Sequence, residues 1–382
     1  MEFDLSSYFA ASLGLVLLLL VLKFIMHKTD TILKFGITGL YVLVILILMR
    51  GYLPFDFYKI NLTTSFYSHK VLPFLREIFY YKINAGGKIM TVRQITLIIF
   101  IIGWIWMLCK KIYGYFAFNK FINSAPLYNK AGALQICEDV FYTIFPQDRK
   151  FDIKIVQSNI LSSPAIFLSP NPIIILPDIL FTEEELKFVF YHELIHLKHR
   201  DFIIKVATDF LIAAYWWNPV IRIYLFDIIN HVQELNVDYE ASKGLTKNEK
   251  LVYLNVISKT ADYICKNKKK RKPIYALSDE HPLNILQRLN CIISSKVNGL
   301  TFKGIIVSII LFICSFTFVF EPSFRPTYDE MGNEVFEGNE ELSYYIWDGT
   351  IYRLYIGGEC VYKTSKIHED FKDLPVYKEE LK

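Results

Sequence analysis

The sequence predicts an α-helical membrane protein with four transmembrane helices and one α+β globular domain between the third helix and the fourth. Of the 382 residues, 53% are hydrophobic and 16% are aromatic, and the mean hydropathy is +0.29. This composition is too apolar for an ordinary soluble domain. Four stretches, at about residues 8–26, 31–49, 91–109 and 304–320, approach the ~20 apolar residues that a membrane span requires.

The residues before the first stretch indicate that it stays in the protein as an anchor. Residues 1–4 are acidic rather than basic, and no small-residue cleavage site follows the apolar run. A cleavable signal peptide has a basic leader and such a site. We therefore expect a multi-pass protein in contact with the lipid bilayer.

Lysines beside the spans predict that the globular domain faces the cytoplasm. Lys110 and Lys111 follow the third stretch, and Lys296 and Lys303 precede the fourth. Lys and Arg next to spans accumulate on the cytoplasmic side. In the loop expected outside, cations outnumber acidic residues, which opposes this orientation, but the short flanks carry more weight. The expected order is three spans in 1–109 with an outer loop at about 51–90, a cytoplasmic domain in 110–303, a fourth span in 304–320 and a short acidic outer tail in 321–382.

The segment expected in the cytoplasm begins with a helical pattern and continues with strands. Helical periodicity covers about residues 131–145. Three β-rich runs, at 151–156, 165–168 and 173–176, are broken by Pro and Ser and predict a small sheet. The later apolar run 202–226 contains charges and a proline. We expect it to form a helix-turn-helix that packs on the domain or lies among the lipid headgroups.

A helix that starts near Thr182 carries the residues most indicative of function. Thr182 and Glu185 have the spacing of a capping box. The helix then presents His192, Glu193 and His196 as H-E-x-x-H. Two imidazoles four residues apart lie on one helical face and can both reach one zinc ion, which leaves Glu193 free to act as the general base of a hydrolase. The alternative is a pair of ordinary polar residues on an exposed helix.

Glu234 is the best candidate for the third protein ligand that a catalytic zinc site requires. It belongs to a polar stripe, Asp227, His231, Glu234 and Asp238, on a second, otherwise apolar helix. If the stripe faces the first helix, Glu234 completes the ligand set. Asp238 then accepts a hydrogen bond from the far nitrogen of a ligand histidine, and His231 lies close by, where it supports the ligands or stabilises the transition state. A solvated helix face is the alternative.

Other groups near the motif could act on a bound peptide. The strand just before the motif helix could hold an extended peptide along its edge, or it could be an ordinary core strand. His281 and Arg288 are cations that could stabilise the oxyanion of a tetrahedral intermediate. Arg288 could equally pair with an acidic residue.

Taken together, these motifs resemble the BlaR/MecR-type family of bacterial membrane zinc metallopeptidases. The likeness covers roughly residues 1–320. It rests on the run Ile173–Pro177, on the H-E-x-x-H helix with Arg200 and Asp201 after it, on Trp217–Pro219, and on Gln233, Glu234 and Asp238.

The resemblance implies a gluzincin-like metalloprotease domain with zinc as its cofactor. In such a domain His192, His196 and Glu234 bind the zinc ion, and Glu193 is the general base. The resemblance also implies a protein of the bacterial cytoplasmic (inner) membrane that signals by cleaving itself or a cytoplasmic partner such as a transcriptional repressor. Direct binding to nucleic acid is not expected.

Two departures and one second likeness leave alternatives open. Sensors of the family carry a penicillin-binding domain with a Ser-x-x-Lys nucleophile, whereas segment 321–382 is too short for that fold and lacks the motif. In addition, Asn236 and Val237 stand before Asp238 where the family usually has a small residue and Cys. HtpX-like quality-control proteases share the H-E-x-x-H motif, a later glutamate and a His-Pro with a following Arg, as at His281 and Arg288. A further alternative is a non-catalytic receptor with a structural zinc site.

Overall fold

The computed structural model describes most of the chain, and its contacts divide into two compact units, Met1–Ser323 and Phe324–Lys382. The described residues are 5–54, 74, 78–79, 81–85, 88–147, 150–159, 161–168, 171–267, 282–294, 301–316, 343–347, 351–356, 359–365, 367 and 374–378.

The first unit is mainly helical. Its helices are α1 (Leu5–Ile25), α2 (Thr29–Phe35), α3 (Ile37–Tyr52), α4 (Val92–Asn123), α5 (Ala133–Ile144), α6 (Glu183–His199), α7 (Asp201–Ala214), α8 (Pro219–Ser242), α9 (Lys247–Asn267), α10 (Pro282–Ile293) and α11 (Phe302–Cys314). Its strands are β1 (Lys82–Ala85), β2 (Lys88–Thr91), β3 (Lys154–Gln157), β4 (Ala165–Leu168) and β5 (Pro172–Leu176).

Among the described helices, α1 and α4 are long and apolar enough to cross a membrane. The second predicted span differs from the expectation, because α2 and α3 meet at an angle of 85°. Gly36 makes this bend with φ of 85°, and a Cβ atom there would lie 2.3 Å from the side-chain oxygen of Thr301. The Thr301 hydroxyl donates to the carbonyl of Phe35, so the residue before α11 holds the bend.

The third predicted span continues well beyond its expected end at residue 109. Helix α4 runs for 32 residues to Asn123. Hydropathy detects only the apolar part of a helix. Lysine is a good helix former, so the helix continues through Lys110 and Lys111. Asn123 is its last residue and Ser124 its C-cap, and Pro126 follows two residues after the cap. Lys111 on this extension pairs with Asp209 of α7 at 2.5 Å.

The three predicted strands are present and form a sheet in the order β3-β5-β4. The central strand β5 pairs in parallel with β3, where Ile155 lies opposite Ile174, and antiparallel with β4, where Ile166 also lies opposite Ile174. Its residues from Ile173 to Leu176 are buried, as expected for a strand covered on both faces. Strand β4 forms an edge of the sheet, and helix α6 follows β5 after a short connection.

Helix α8 joins two apolar cores. Its first part, including Ile221, Leu225 and Ile229, packs in a core with α1, α2 and α3. Its last part, with Val237 and Ala241, belongs to a second core that contains β5, α5 and α6. Residues 230–238 of α8 therefore lie where the apolar helices meet the globular part of the unit.

The second unit contains a sheet of four described strands, β6 (Ser343–Trp347), β7 (Tyr352–Ile356), β8 (Glu359–Thr364) and β9 (Val376–Lys378). Their order is β8-β7-β6-β9, and only β6 and β9 pair in parallel. Tyrosines and β-branched residues, which favour strands, are frequent in these segments. The acidic character of segment 321–382 gave no indication of this sheet.

Candidate metal centre

Helix α6 is fixed at its N-terminus by the predicted capping box. The Thr182 hydroxyl oxygen accepts from the Glu185 N–H at 3.2 Å, and the Glu185 carboxylate accepts from the Thr182 N–H at 2.8 Å. Lys259 and Asn255 of α9 also donate to Glu185, at 2.8 and 3.0 Å. Although burial raises the pKa of Glu185, these bonds lower it overall. Glu185 is thus a charged anchor between α6 and α9, two turns before the motif.

The two motif histidines and Glu234 come together between α6 and α8. The Nε2 atom of His192 lies 3.2 Å from Oε2 of Glu234, and the Nε2 atom of His196 lies 3.4 Å from Oε1 of Glu234. One ligand atom from each of the three residues lies within 4.8 Å of the other two. Two imidazoles and one carboxylate are a donor set typical of catalytic zinc. The residues therefore fit a single zinc ion.

The far nitrogen of His192 contacts a tyrosine and an aspartate. Nδ1 of His192 lies 2.8 Å from the hydroxyl of Tyr253 and 3.4 Å from Oδ1 of Asp238. The Tyr253 hydroxyl donates to Oδ1 of Asp238 at 2.6 Å. Burial raises the pKa of Tyr253, so this hydroxyl keeps its proton. The tyrosine therefore links the imidazole to the carboxylate and fixes the ring orientation.

The far nitrogen of His196 contacts a carboxylate directly. Nδ1 of His196 lies 2.7 Å from Oδ2 of Asp201, which is almost fully buried. Arg200 adopts φ of 55° between α6 and α7, and this turn brings Asp201 back to the motif. Gln233 of α8 donates to the backbone carbonyl of Asp201 at 3.1 Å, which fixes the turn.

Arg288 of α10 lies behind the carboxylates. Its Nε and Nη2 atoms donate to the two oxygens of Asp238 at 2.6 and 3.0 Å. Its Nη1 atom lies 3.0 Å from Oε2 of Glu234. These contacts correspond to the alternative in which Arg288 pairs with acidic residues.

The charges of the site raise the pKa values of the two histidines and lower that of Glu234. Burial lowers the pKa of His192, but bonds with Asp238 and Glu234 raise it to about 10. The pKa of His196 is also raised, because Glu234 and Asp201 outweigh burial. Burial raises the pKa of Glu234, but Arg288 and His196 lower it well below the usual value. Without an ion, protons on the imidazoles balance the carboxylates, and a zinc ion would take the place of protons.

Glu193 is buried and lines a cleft of about 420 Å³ beside the histidines. Its side chain belongs to the wall of the cleft and not to the group of three ligand residues. The other walls come from β4, α6, α7 and α9 and are mainly apolar. They include Ile166, Phe188, Phe202, Val206 and Ile257.

Four other residues considered from the sequence bond to residues outside the ligand group, are exposed, or lie outside the described residues. His231 contacts Gln287 of α10 at 2.8 Å rather than a ligand residue. Asp227, the first residue of the stripe, is exposed. His199 pairs with Glu240 at 2.6 Å. His281 lies outside the described residues, so its catalytic role stays a prediction.

Sequence reasoning missed Tyr253 and gave Asp201 no role. Asp201 directly follows the motif helix, so its position near His196 was a usable signal. Tyr253 lies 61 positions after His192 within an amphipathic helix. No local pattern distinguishes it from a core tyrosine.

Comparison with known proteins identifies a peptidase family. The family model described as BlaR1 peptidase M56 matches residues 7–292. The regulatory protein BlaR1 of Bacillus licheniformis is 31% identical over 165 residues, which are 42% of this chain and 26% of that protein. The chain thus aligns with only about a quarter of the length of this relative.

The resemblance to the BlaR/MecR-type family is therefore confirmed. The matched range contains both helices that bring the two histidines and Glu234 together. Because the match covers well over half of the sequence, the chain belongs to the BlaR1 peptidase M56 family.

Proposed function

We propose that this protein is a zinc-dependent endopeptidase anchored in a membrane. The observation that carries the proposal is the group formed by His192, His196 and Glu234, whose ligand atoms lie within 4.8 Å of one another. Membership of a peptidase family supports the same reaction. A bound zinc ion supplies a Lewis acid that polarises a carbonyl and lowers the pKa of a coordinated water toward about 7.

The residues of the chain divide the remaining tasks. Glu193 lies next to His192 on the wall of the cleft, where its carboxylate takes a proton from the attacking water and returns it to the leaving amine. Tyr253 and Asp201 hold the imidazoles in the orientation that points Nε2 toward Glu234. The buried surroundings strengthen each of these electrostatic contacts.

The strand just before the motif helix, β5, is central in its sheet and paired on both sides, so it is not the edge that the sequence suggested. The substrate is instead a peptide that lies extended along β4. This strand forms an edge of its sheet, and residues 165–168 line the cleft beside the motif helix. An edge strand offers unpaired backbone groups that an extended peptide can bond. The apolar walls of the cleft favour hydrophobic side chains on the peptide.

Replacing Glu193 by Gln tests the proposed reaction. We expect E193Q to bind zinc as tightly as the wild type but to cleave a quenched fluorescent peptide library at least about 100-fold more slowly, because the general base is lost. The matched control is E184Q, since Glu184 is an exposed glutamate in the first turn of the same helix. Equal cleavage by E193Q and E184Q would exclude this mechanism.

We further propose that the peptidase acts in signalling, with its site on the cytoplasmic side of the membrane. The relative in Bacillus licheniformis is named a regulatory protein. In this proposal the substrate is the chain itself or a cytoplasmic regulator. Comparing the cellular proteome of wild type and E193Q identifies the substrate, and broad loss of cleavage of misfolded proteins would instead indicate quality control.

Cysteine labelling tests the proposed orientation. Cys265 in α9 and Cys360 in the second unit are both exposed and form no disulfide. In intact cells, with the other four cysteines replaced, we expect a membrane-impermeant maleimide to label Cys360 and not Cys265. Labelling of Cys265 alone would reverse the orientation.

A further inference from the structure

Two adjacent residues of α10 connect the metal ligands with the turn after α1. Gln287 and Arg288 follow one another in the sequence, yet their side chains contact different parts of the first unit. Arg288 holds Glu234 and Asp238, as described above. Gln287 contacts the turn after α1 and His231 of α8.

The Gln287 side chain is bonded at both ends of its amide. Its Nε2 atom donates to the backbone carbonyls of Met26 and His27 at 2.7 and 3.3 Å. Its Oε1 atom accepts from Nε2 of His231 at 2.8 Å. Burial lowers the pKa of His231 to about 4, so this imidazole is a neutral donor. The turn after α1 is thus bonded through one side chain to α8.

The contacts on α8 follow one helical face. His231, Glu234 and Asp238 are separated by three and four residues, and α10 contacts all three through Gln287 and Arg288. The packing of α10 is also divided, since Ile285 and Ile292 belong to the core around α6 whereas Cys291 belongs to the core around α1. A shift of the turn after α1 therefore displaces α10 and, with it, the guanidinium that holds Glu234.

We propose that Gln287 and Arg288 are positioning residues that link the turn at Met26 and His27 to the third metal ligand, Glu234. The position of that turn then sets the affinity of the site for its metal ion. This inference rests on the metal site of the proposed function and adds a route by which an apolar helix controls it.

Gln287 offers the cleaner test, because its replacement leaves the charge of the site unchanged. Removing Arg288 would also remove a positive charge near the cation, which strengthens metal binding while the loss of positioning weakens it. We therefore compare Q287A and Q287M with the wild type in the full chain, in detergent micelles. The methionine keeps the length of the side chain and the net charge, but it can neither donate to the carbonyls of Met26 and His27 nor replace the amide acceptor for His231.

The measured quantity is the zinc dissociation constant, obtained by competition with a chromophoric chelator. We expect it to rise on the order of tenfold in Q287A and by a similar factor in Q287M, as for other residues that orient metal ligands indirectly. The matched control is N290A, because Asn290 is an exposed amide residue of the same helix. Its dissociation constant is expected to equal that of the wild type.

The thermal midpoint of the metal-free variants separates positioning from a purely structural role. A structural role lowers this midpoint and leaves the dissociation constant, measured well below it, unchanged. That result, or equal constants in Q287A, Q287M and N290A, would overturn the inference but not the proposed function. A wild-type chain that binds no zinc would overturn both.

Discussion

At the residue scale, the two ligand histidines are supported in different ways. His196 bonds directly to the carboxylate of Asp201, whereas His192 reaches Asp238 mainly through the hydroxyl of Tyr253. Arg288 also neutralises Asp238. The ring of His192 therefore depends on one neutral hydroxyl group for much of its orientation.

Replacing Tyr253 by Phe is expected to weaken zinc binding by about tenfold, because removal of a group that orients a ligand has this effect. Chelator competition measures the change. The control is Y142F, since Tyr142 is 39% exposed on α5, away from the metal ligands. Unchanged affinity in Y253F would mean that Asp238 alone orients His192.

The raised pKa of His192 predicts a pH dependence of metal binding. In the metal-free protein His192 has a pKa of about 10 instead of 6.5. Its proton therefore contributes stability that is fully present below about pH 6.5 and is lost as the pH rises through about 10. Zinc requires the neutral imidazole, so at pH 8 binding releases protons and its affinity increases with pH.

Calorimetric titration with zinc at pH 8 measures this release. The apparent enthalpy should vary with the ionisation enthalpy of the buffer, and the slope gives the number of protons. The variant H192A, which lacks one of the three ligand residues, should give no such buffer-dependent heat. An enthalpy that is independent of the buffer would contradict the prediction.

At the element scale, the bend between α2 and α3 depends on one glycine. A side chain at Gly36 would meet the oxygen of Thr301 at 2.3 Å and would require a positive φ. Gly132 also has a positive φ, of 77°, but a Cβ atom there has nothing within 4 Å. G132A therefore measures the cost of a positive φ without a collision.

We expect G36A to lower the free energy of unfolding more than G132A does. In G132A the left-handed φ costs about 1 to 2 kcal/mol. In G36A the φ of 85° with ψ of 144° lies close to a region that is essentially restricted to glycine, and the collision with Thr301 adds to the cost. Denaturation of the full chain in mixed micelles measures both. If the two variants are equally stable, the contact with Thr301 does not hold the bend.

Most elements of the globular part were predictable, because their signals are local. The capping box marked the start of α6, and the alternation of β-rich runs with Pro and Ser marked three strands. The bend at Gly36 depends on Thr301, which is distant in the sequence, so hydropathy could not reveal it. The spacing within one helix is likewise a local signal, and it indicated the H-E-x-x-H residues and Glu234. Tyr253 and Gln287 act through contacts with residues distant in the sequence, so no spacing revealed them.

At the scale of the whole molecule, the proposed metal site connects four helices. The ligands belong to α6 and α8, and the residues that support them include Tyr253 of α9 and Arg288 of α10. An ion that binds only the folded chain stabilises it by about 2.7 kcal/mol at a concentration 100-fold above the dissociation constant. Removal of zinc with a chelator should therefore lower the thermal midpoint of the full chain.

Scanning fluorimetry with EDTA, followed by restored zinc, measures this shift. The variant H192A should show a low midpoint that neither treatment changes. If EDTA lowers the midpoint of H192A as much as that of the wild type, the effect arises from another site.

Because α8 packs in two apolar cores, we do not expect the globular part to fold as a separate soluble fragment. A fragment starting at residue 110 would cut α4 in the middle and would strip α1 to α3 from Ile221, Leu225 and Ile229. Helix α8, which carries Glu234, would then expose an apolar face to water. We expect such a fragment to aggregate rather than fold. A test of the proposed activity therefore has to retain the apolar helices α1 to α3 together with the globular part.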